Sequence, residues 1–429
     1  MKVRKVCLNA VLGCTMMVGT PAAYSYPLDG DTYTGMVRLE GYRLAQQGKV
    51  SGPRQPAGAL LSLLDVDLRL TDYPQLELPA PDPEFSAKVR ALLGEDAEHY
   101  GVAVLDLSDM EQPRYADVNA RTVHHPGSVG KIVVALGIFQ TLADIYPNDV
   151  SARERILRTS QVTADNFIRT DHHVVPFWDS VKQRLTWRAI REGDRASLWT
   201  YLDWMLSASS NAAASTVIEQ LLLLAHFRRN YPVSTEQAAD FFRTTPATQL
   251  RALLATALQD PVRRNGLDLS QLRQGSFFTG EGKRRVPGTS SHATPRELLR
   301  YLLLLEQGKL VDQFSSREIK RLLYMTQRRI RYASSPALAD AAVYFKSGSY
   351  FRCKPEAGFV CLKYHGNVEN WMNSVAIIEY PARGRRFYYL VTVMSDVLRK
   401  NSAVEHQTFG TRLQRLIEAQ HRAPPAAAR

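Results

Sequence analysis

The pattern of apolar and polar residues divides the chain into strand-like ends and a helical middle. YGVAVLDL, Tyr100 to Leu107, is apolar enough for a buried strand, and a turn at Asp109 to Glu111 leads to a second strand near Tyr115. Strand patterns return near the C-terminal end in AAVYFKSGSYF, WMNSVAIIEY and RRFYYLVTVMS. Between Ser128 and about Leu323 the apolar residues mostly follow helical spacing, and an amphipathic helix from about Ala403 to His421 closes the chain.

This order predicts an α+β fold, an α/β sandwich. Strands from both ends of the domain would complete one antiparallel sheet flanked by helices, with an all-helical lobe inserted between them. A cleft between the sheet and the lobe is the expected place for a functional site.

Two further segments precede this domain, which we place at residues 84–422. Residues 27–80 form an N-terminal accessory segment that ends in LLDVDLRL, Leu63 to Leu70, an alternation typical of a strand. PQLELPAPDPEF, Pro74 to Phe85, carries four prolines and reads as a linker, after which a short helix runs from about Phe85 to Leu93. Residues 423–429 are predicted to be a disordered tail.

The N-terminus has the pattern of an export signal. Basic residues within the first five positions precede a mostly apolar stretch, Val6 to Gly19, and small residues near 21–23 offer a cleavage site. We therefore predict a signal peptide over residues 1–26 and a periplasmic or secreted protein without a transmembrane span. Val11 to Cys14 loosely resembles a lipoprotein box, so lipidation of Cys14 is the alternative.

The charge of the chain is strongly basic, with a net charge of +12. Between Lys283 and Arg331, twelve Lys and Arg residues stand against four Asp and Glu residues, which predicts a solvated basic face. An anionic envelope polymer is a candidate partner for such a face. No zinc-finger spacing, aromatic RNA-binding pattern or basic-zipper heptad accompanies it, so no nucleic acid is expected.

The cysteines and histidines favour a disulfide over a metal site. Cys353 and Cys361 are the two cysteines outside the signal, and they bracket a Pro-Glu-Ala-Gly turn, which in an exported chain can cross-link a hairpin. The adjacent pairs His124-His125 and His172-His173 lack metal-ligand spacing and are predicted to be structural or surface residues. We expect no metal and no cofactor.

The stretch HHPGSVGKIVVALGIF contains a serine with two possible roles. Ser128 follows a Pro-Gly turn and precedes an uncharged run, so it can simply begin a buried helix. Lys131 lies one turn further on the same helix face, where a neutral amine can accept the proton of the Ser128 hydroxyl. The second role makes Ser128 a nucleophile.

Two more short motifs follow in order. They are Ser209-Ser210-Asn211, at a junction of two helices, and Lys346-Ser347-Gly348-Ser349, within a strand. With Ser128-x-x-Lys131, this set resembles the signature of the penicillin-recognising serine enzymes, and of class A β-lactamases most closely. The resemblance covers roughly Glu84 to His421, and it implies a β-lactamase/transpeptidase-like fold.

The residue types suit acyl transfer. A helix N-terminus at Ser128 favours developing negative charge, and Lys131 can act as the base if burial and a second cation, Lys346, lower its pKa. Ser209 can relay a proton to the leaving nitrogen, and Asn211 can orient Lys131 and a substrate amide.

The resemblance adds roles for the third motif. It implies that the backbone N–H groups of Ser128 and Ser349 form an oxyanion hole. It also implies that Lys346 and Ser347 meet a substrate carboxylate beside Gly348.

Two departures from the class A pattern stand out. Ser210 occupies the middle position of the second motif, where those enzymes have Asp. No Glu-x-x-Leu-Asn stretch, which supplies the base for deacylation in that class, occurs between Asn211 and Lys346. Glu281 is the tentative replacement, on a glycine-flanked loop.

These features leave three hypotheses. The first is an exported serine hydrolase of the class A type that opens a β-lactam or related amide through an acyl-enzyme at Ser128. The second is a slow-deacylating penicillin-binding D-Ala-D-Ala peptidase or transpeptidase, favoured by the missing glutamate motif. The third, an inactive envelope binding module, is opposed by the complete set of serine and lysine residues.

Overall fold

The computed structural model describes residues 29–326 and 329–422. The predicted signal peptide, Cys14 and the predicted tail at residues 423–429 lie outside these described residues.

The described part contains thirteen α-helices and eleven strands, together with short 3₁₀ turns. The helices are α1 Gly30–Thr34, α2 Arg38–Gln46, α3 Pro83–Ala91, α4 Lys131–Ile145, α5 Val150–Thr159, α6 Leu198–Leu206, α7 Asn211–Phe227, α8 Thr235–Thr244, α9 Ala247–Arg264, α10 Gly280–Arg285, α11 Pro295–Glu306, α12 Gln313–Tyr324 and α13 Ser402–Gln420. The strands are β1 Tyr100–Asp106, β2 Arg114–Val118, β3 Gln161–Thr163, β4 Val174–Asp179, β5 Arg184–Ala189, β6 Arg195–Ser197, β7 Leu272–Arg273, β8 His292–Ala293, β9 Ala342–Arg352, β10 Glu369–Tyr380 and β11 Phe387–Asp396.

The central sheet is built from both ends of the domain, as predicted. Its five strands lie in the order β2-β1-β11-β10-β9, and each neighbouring pair is antiparallel. Successive side chains of β1 point to opposite faces, so Val102 packs with Phe409 of α13 whereas Ala103 packs in the cluster that includes Leu298 of α11. Because helices cover both faces, β1 is buried along its whole length. The α+β prediction is confirmed.

The inserted lobe is mainly helical and surrounds α4. Among the described residues a single helix, Gly127–Ile145, is long and apolar enough to cross a membrane, and 83% of its most apolar window is buried inside the protein. The lobe also contains three two-stranded sheets that the helical reading of this region missed: β3 with β6, β4 with β5, and β7 with β8. The hairpin of β4 and β5 is rich in aromatic and β-branched residues, which favour strands over helices.

The N-terminal segment packs into the same core as the rest of the chain. Met36 and Leu39 are fully buried in the large cluster that also contains α4 and α6. The Arg38 guanidinium forms a buried ion pair with the Asp203 carboxylate on α6 and donates a hydrogen bond to the Met325 carbonyl. Residues 29–70 are thus anchored to the lobe.

The alternating stretch Leu63–Leu70 forms no strand, contrary to its pattern. It begins with a 3₁₀ turn at Leu63–Asp65. Two of its backbone N–H groups bond to the end of α11, from Leu70 to the Glu306 carbonyl and from Arg69 to the Glu306 carboxylate. The alternation therefore reflects the burial of Val66, Leu68 and Leu70, between side chains that are partly exposed.

A disulfide closes the loop between β9 and β10. It joins Cys353 to Cys361, eight residues apart, as the cysteine spacing predicts. The loop continues through Lys363 and Tyr364 before β10 begins, and both of these residues line the cavity described below.

The disulfide yields a direct chemical expectation for a chain that lacks the predicted signal peptide. The denatured but unreduced protein, starting after residue 26, should gain no mass with a maleimide, because both of its sulfur atoms are held in the S–S bond. After reduction it should gain two labels. Stoichiometric labelling before reduction would show that the pair is not joined in the protein as made.

Candidate active site

The three sequence motifs meet in one cavity between the edge strand β9 and the helical lobe. Its volume is about 790 Å³. The predicted site residues that line it are Ser128, Ser209, Asn211, Lys346, Ser347 and Ser349. Motifs far apart in the sequence are therefore neighbours in space.

Ser128 lies in a 3₁₀ turn, Gly127–Gly130, that runs directly into α4. No side-chain capping bond is made where this turn or α4 begins. The Ser128 hydroxyl instead lies 3.0 Å from the Lys131 amine. Of the two roles open to this serine, the geometry favours the chemical one.

Lys131 is completely buried. Its amine donates to the Ser209 carbonyl at 2.6 Å and to Asn211 Oδ1 at 2.8 Å. Burial lowers its pKa to about 7, while the Asp171 carboxylate opposes this shift and the Arg331 guanidinium adds to it. Burial therefore has the largest effect, as expected from the sequence, but the positive charge that lowers the Lys131 pKa belongs to Arg331 and not to Lys346.

The second motif connects the two lysines. Ser209 has a φ of 61°, in the left-handed region, and its hydroxyl accepts a hydrogen bond of 2.8 Å from Lys346. Burial, reinforced by the charges of Lys131 and Arg331, lowers the pKa of Lys346 well below its usual range. Asn211 is the first residue of α7, and this position directs its amide to Lys131. Ser209 is thus placed to pass a proton.

Gly348 allows β9 to approach the Ser128 turn closely. A Cβ atom at Gly348 would lie 2.6 Å from the Pro126 carbonyl oxygen and 2.7 Å from the Ser128 nitrogen, distances that no real side chain tolerates. The Ser349 nitrogen adjoins the same turn, 3.4 Å from where a Cβ of Gly127 would be. The close approach brings the N–H groups of Ser128 and Ser349 to the same edge of the cavity.

Arg331 lines the cavity, although in the sequence it stands out only as the last residue of the basic stretch. Its guanidinium donates to Ser347 Oγ at 2.5 Å, to Ser349 Oγ at 2.9 Å and to the Tyr364 hydroxyl at 3.0 Å. It also lies 4.8 Å from the centre of the Tyr364 ring. No spacing rule links Arg331 to the third motif, so only the fold reveals this contact.

Asp171 and His173 are two more cavity residues absent from the predicted site. His173 belongs to a histidine pair assigned above to structure or surface, yet it lines the cavity, and its Nδ1 lies 2.5 Å from Asp171 Oδ1. The other oxygen of Asp171 accepts hydrogen bonds from the start of α7. A carboxylate is therefore present beside the second motif, although it comes from another segment.

Glu281, the tentative base for deacylation, is engaged elsewhere. It lies in α10, is 5% exposed, and pairs with Arg284 and with Arg285, the latter at 2.8 Å. It is not among the residues that line the cavity. The Lys131 amine instead faces the Phe278 ring, with 4.9 Å between the nitrogen and the ring centre.

Comparison with known proteins agrees with this geometry. The profile of the "Beta-lactamase enzyme family" matches residues 84–408. No curated protein sequence matches the chain.

Solved structures with the same fold include TLA-3 extended-spectrum β-lactamase, 12% identical with a TM-score of 0.51, over 79% of this chain and 99% of that one. A β-lactamase from Xanthomonas campestris is 17% identical with a TM-score of 0.48, over 77% of this chain and 97% of that one. PBP-A is 12% identical with a TM-score of 0.46, over 80% of this chain and 100% of that one. The family profile spans most of the sequence, and all three motifs lie within the matched residues. This chain therefore belongs to the β-lactamase enzyme family.

Proposed function

We propose that the protein is a serine hydrolase of the class A type that opens a β-lactam or related amide through an acyl-enzyme at Ser128. The observation that carries this proposal is the pair formed by Ser128 and Lys131. Their side-chain atoms lie 3.0 Å apart, and the pKa of the buried amine is lowered to about 7. A base whose pKa lies near the working pH is both sufficiently deprotonated and sufficiently basic.

The acylation step follows from these contacts. Ser128 Oγ bonds to the carbonyl carbon as Lys131 takes its proton, and the N–H groups of Ser128 and Ser349 bind the oxyanion. The amide C–N bond then breaks as its nitrogen receives the Ser209 hydroxyl proton. Lys346, 2.8 Å from that hydroxyl, replaces the proton, and its lowered pKa favours the transfer. Attack of water on the ester would later release the acid. Ser128 Oγ would take back the proton held by Lys131, and the proton lost by the attacking water would restore Lys346, which returns every group to its starting state.

The cationic wall of the cavity fits a substrate that carries a carboxylate. Lys346 and Arg331 converge on Ser347, which accepts a hydrogen bond from Arg331 at 2.5 Å. An arginine fork and a hydroxyl provide directional donors to a carboxylate. A β-lactam and a D-Ala-type peptide both carry such a group, so both substrate classes fit this wall.

One observation favours the second candidate, a slow-deacylating penicillin-binding D-Ala-D-Ala peptidase or transpeptidase. Hydrolysis of the ester requires a base that deprotonates water next to Ser128. The Lys131 amine faces the Phe278 ring, and Glu281 does not line the cavity. An acyl-enzyme that forms quickly and breaks down slowly is consistent with this arrangement.

Export is part of the proposal and rests on the sequence of the first 26 residues. Penicillins and cell-wall peptides are met outside the cytoplasm, where the Cys353–Cys361 disulfide is also chemically stable. Material from the periplasm or the medium whose intact mass corresponds to a chain that begins near residue 24 would support export. A lipid adduct on Cys14 would support the lipoprotein alternative.

The nucleophile can be tested by intact mass after incubation with a fluorescent penicillin. The wild-type protein should gain the mass of one ring-opened penicillin, and Ser128→Ala should gain none because it lacks the attacking oxygen. Ser207→Ala is the matched control, since it removes another hydroxyl from the same cavity and should still be labelled. An adduct mapped to a different serine, or no adduct with a panel of β-lactams, would refute the mechanism.

A further inference from the structure

The second motif receives a carboxylate from a distant part of the chain. Asp171 precedes β4, and one of its oxygens accepts hydrogen bonds from the Ser210 hydroxyl at 2.9 Å and from the Ala212 backbone N–H at 2.8 Å. The Asp171 side chain is only 3% exposed. Ser210 occupies the position at which class A enzymes have Asp. Its hydroxyl is therefore hydrogen-bonded to an aspartate from another segment of the chain.

We propose that Asp171 is a positioning residue for acylation, holding the start of α7 so that Ser209 and Asn211 keep Lys131 directed at Ser128. This inference rests on the proposed function, because acylation of Ser128 is the reaction that it serves. Asp171 acts through the second motif and through its charge, and it is not assigned a contact with the reacting atoms.

The positioning argument depends on which atoms hold Lys131. Its amine is bound by the Ser209 carbonyl and by Asn211 Oδ1, and these two residues flank Ser210. Asp171 accepts hydrogen bonds from the Ser210 hydroxyl and from the Ala212 backbone N–H. A shift of Ser210 would therefore displace both partners of Lys131 at once.

The location of the carboxylate is also electrostatically favourable. The free N–H groups at the start of a helix carry partial positive charge, which an anion stabilises. Burial raises the pKa of Asp171, but its hydrogen bonds to His173 and to the Ala212 N–H outweigh burial and hold the pKa below its usual range. Asp171 is therefore an anion throughout the neutral pH range.

This anion acts against the positive charge near the proposed base. Arg331 lowers the Lys131 pKa together with burial, and Asp171 is the negative group that raises it. His173 is itself titratable and lies 2.5 Å from Asp171, at the exposed side of the pair. Loss of the Asp171 charge would lower the Lys131 pKa.

The test uses Asp171→Asn, which keeps the shape of the side chain and removes its charge. We expect the second-order rate constant for acylation by a reporter β-lactam to fall about 100-fold, because small misplacements of catalytic groups have effects of this order. The acid limb of the pH–rate profile should also move to lower pH, since the base stays neutral further into acid. A purely structural residue would reduce the amount of active protein without moving that limb.

Relocating the charge provides the rescue. In the double variant Asp171→Asn with Ser210→Asp, the carboxylate returns to the second motif itself, so the rate and the acid limb should both recover toward wild type. Ser210→Ala keeps the Asp171 charge and removes the hydroxyl that bonds to Asp171 and accepts the Ala213 N–H at the start of α7, so it should lower the rate and leave the acid limb in place. Glu192→Gln, at an exposed carboxylate paired with Arg169, is the matched control and should change neither.

The outcomes separate this inference from the proposed function. Absence of any adduct in the wild-type protein would refute the function, whereas a labelled wild type with unchanged kinetics in Asp171→Asn would refute the role of Asp171. If Asp171→Asn fails to fold, the double variant and Ser210→Ala test the role of Asp171. A double variant that does not acylate, or a Ser210→Ala variant whose acid limb moves, would overturn the proposal.

Discussion

Replacing Lys131 with methionine is expected to lower the rate constant for acylation of Ser128 about 1,000-fold, within the range found for loss of a general base. Methionine fills similar space in the buried site but cannot accept the Ser128 proton. The measurement is the rate of adduct formation by rapid quench and intact mass. The folded state of the variant can be checked from its thermal unfolding.

The wild-type pH profile provides an independent check on the same residue. Lys131 acts as a base only when neutral, and its pKa is lowered to about 7. Acylation should therefore fall about tenfold per pH unit below pH 6, because protonation then removes the base. Lys88→Met, at a surface lysine paired with Glu84, should keep this profile. Fast acylation by Lys131→Met would show that another group is the base.

The second large effect concerns the lifetime of the acyl-enzyme. Phe278→Glu should shorten the lifetime of the acyl-enzyme about 100-fold. The substitution would place a carboxylate beside Lys131 in the position of the Phe278 ring, and this carboxylate can deprotonate water. The wild-type adduct should accumulate and persist. The measurement is the decay of adduct mass after unbound β-lactam has been removed.

Two matched variants make this result interpretable. Phe278→Gln has nearly the shape of the glutamate variant without its charge, so it separates base catalysis from loosened packing. Glu281→Gln should leave the adduct lifetime unchanged, since Glu281 is paired with Arg284 and Arg285. Rapid turnover by the wild-type protein would contradict the prediction, and loss of that turnover in Glu281→Gln would identify Glu281 as the base.

The sequence predicts the sheet and the central residues of the site for physical reasons. The spacing of apolar residues follows from the local backbone geometry of a strand or a helix. The sequence therefore predicts β1, the C-terminal strands and the buried helix after Ser128. Ser128, Lys131, Ser209, Asn211 and Lys346 are recognisable because three short motifs in this order resemble the signature of the penicillin-recognising serine enzymes. Only the contact between Ser128 and Lys131 lies within one motif, whereas the others require the folded chain.

Residues supplied by the tertiary structure could not be predicted. Asp171 meets Ser210 across 39 residues, and Arg331 meets Tyr364 across 33, without any motif around either. The glycine-flanked loop makes Glu281 a candidate base in the sequence, but the orientation of its carboxylate is set by its arginine partners. Leu63–Leu70 shows the same limit, because burial of alternate side chains imitates the alternation of a strand.

The buried pair of Arg38 and Asp203 has a practical consequence for where the protein can be truncated. Asp203 lies on α6, the helix that leads into the second motif, while Arg38 lies well before residue 84, where the family match begins. An expression clone trimmed to the family boundaries would leave the buried Asp203 carboxylate without its Arg38 partner, and breaking such a pair costs about 3–5 kcal/mol. The stable folding unit of this protein is therefore expected to begin upstream of its recognisable homology, and a recombinant product should retain the chain from residue 29.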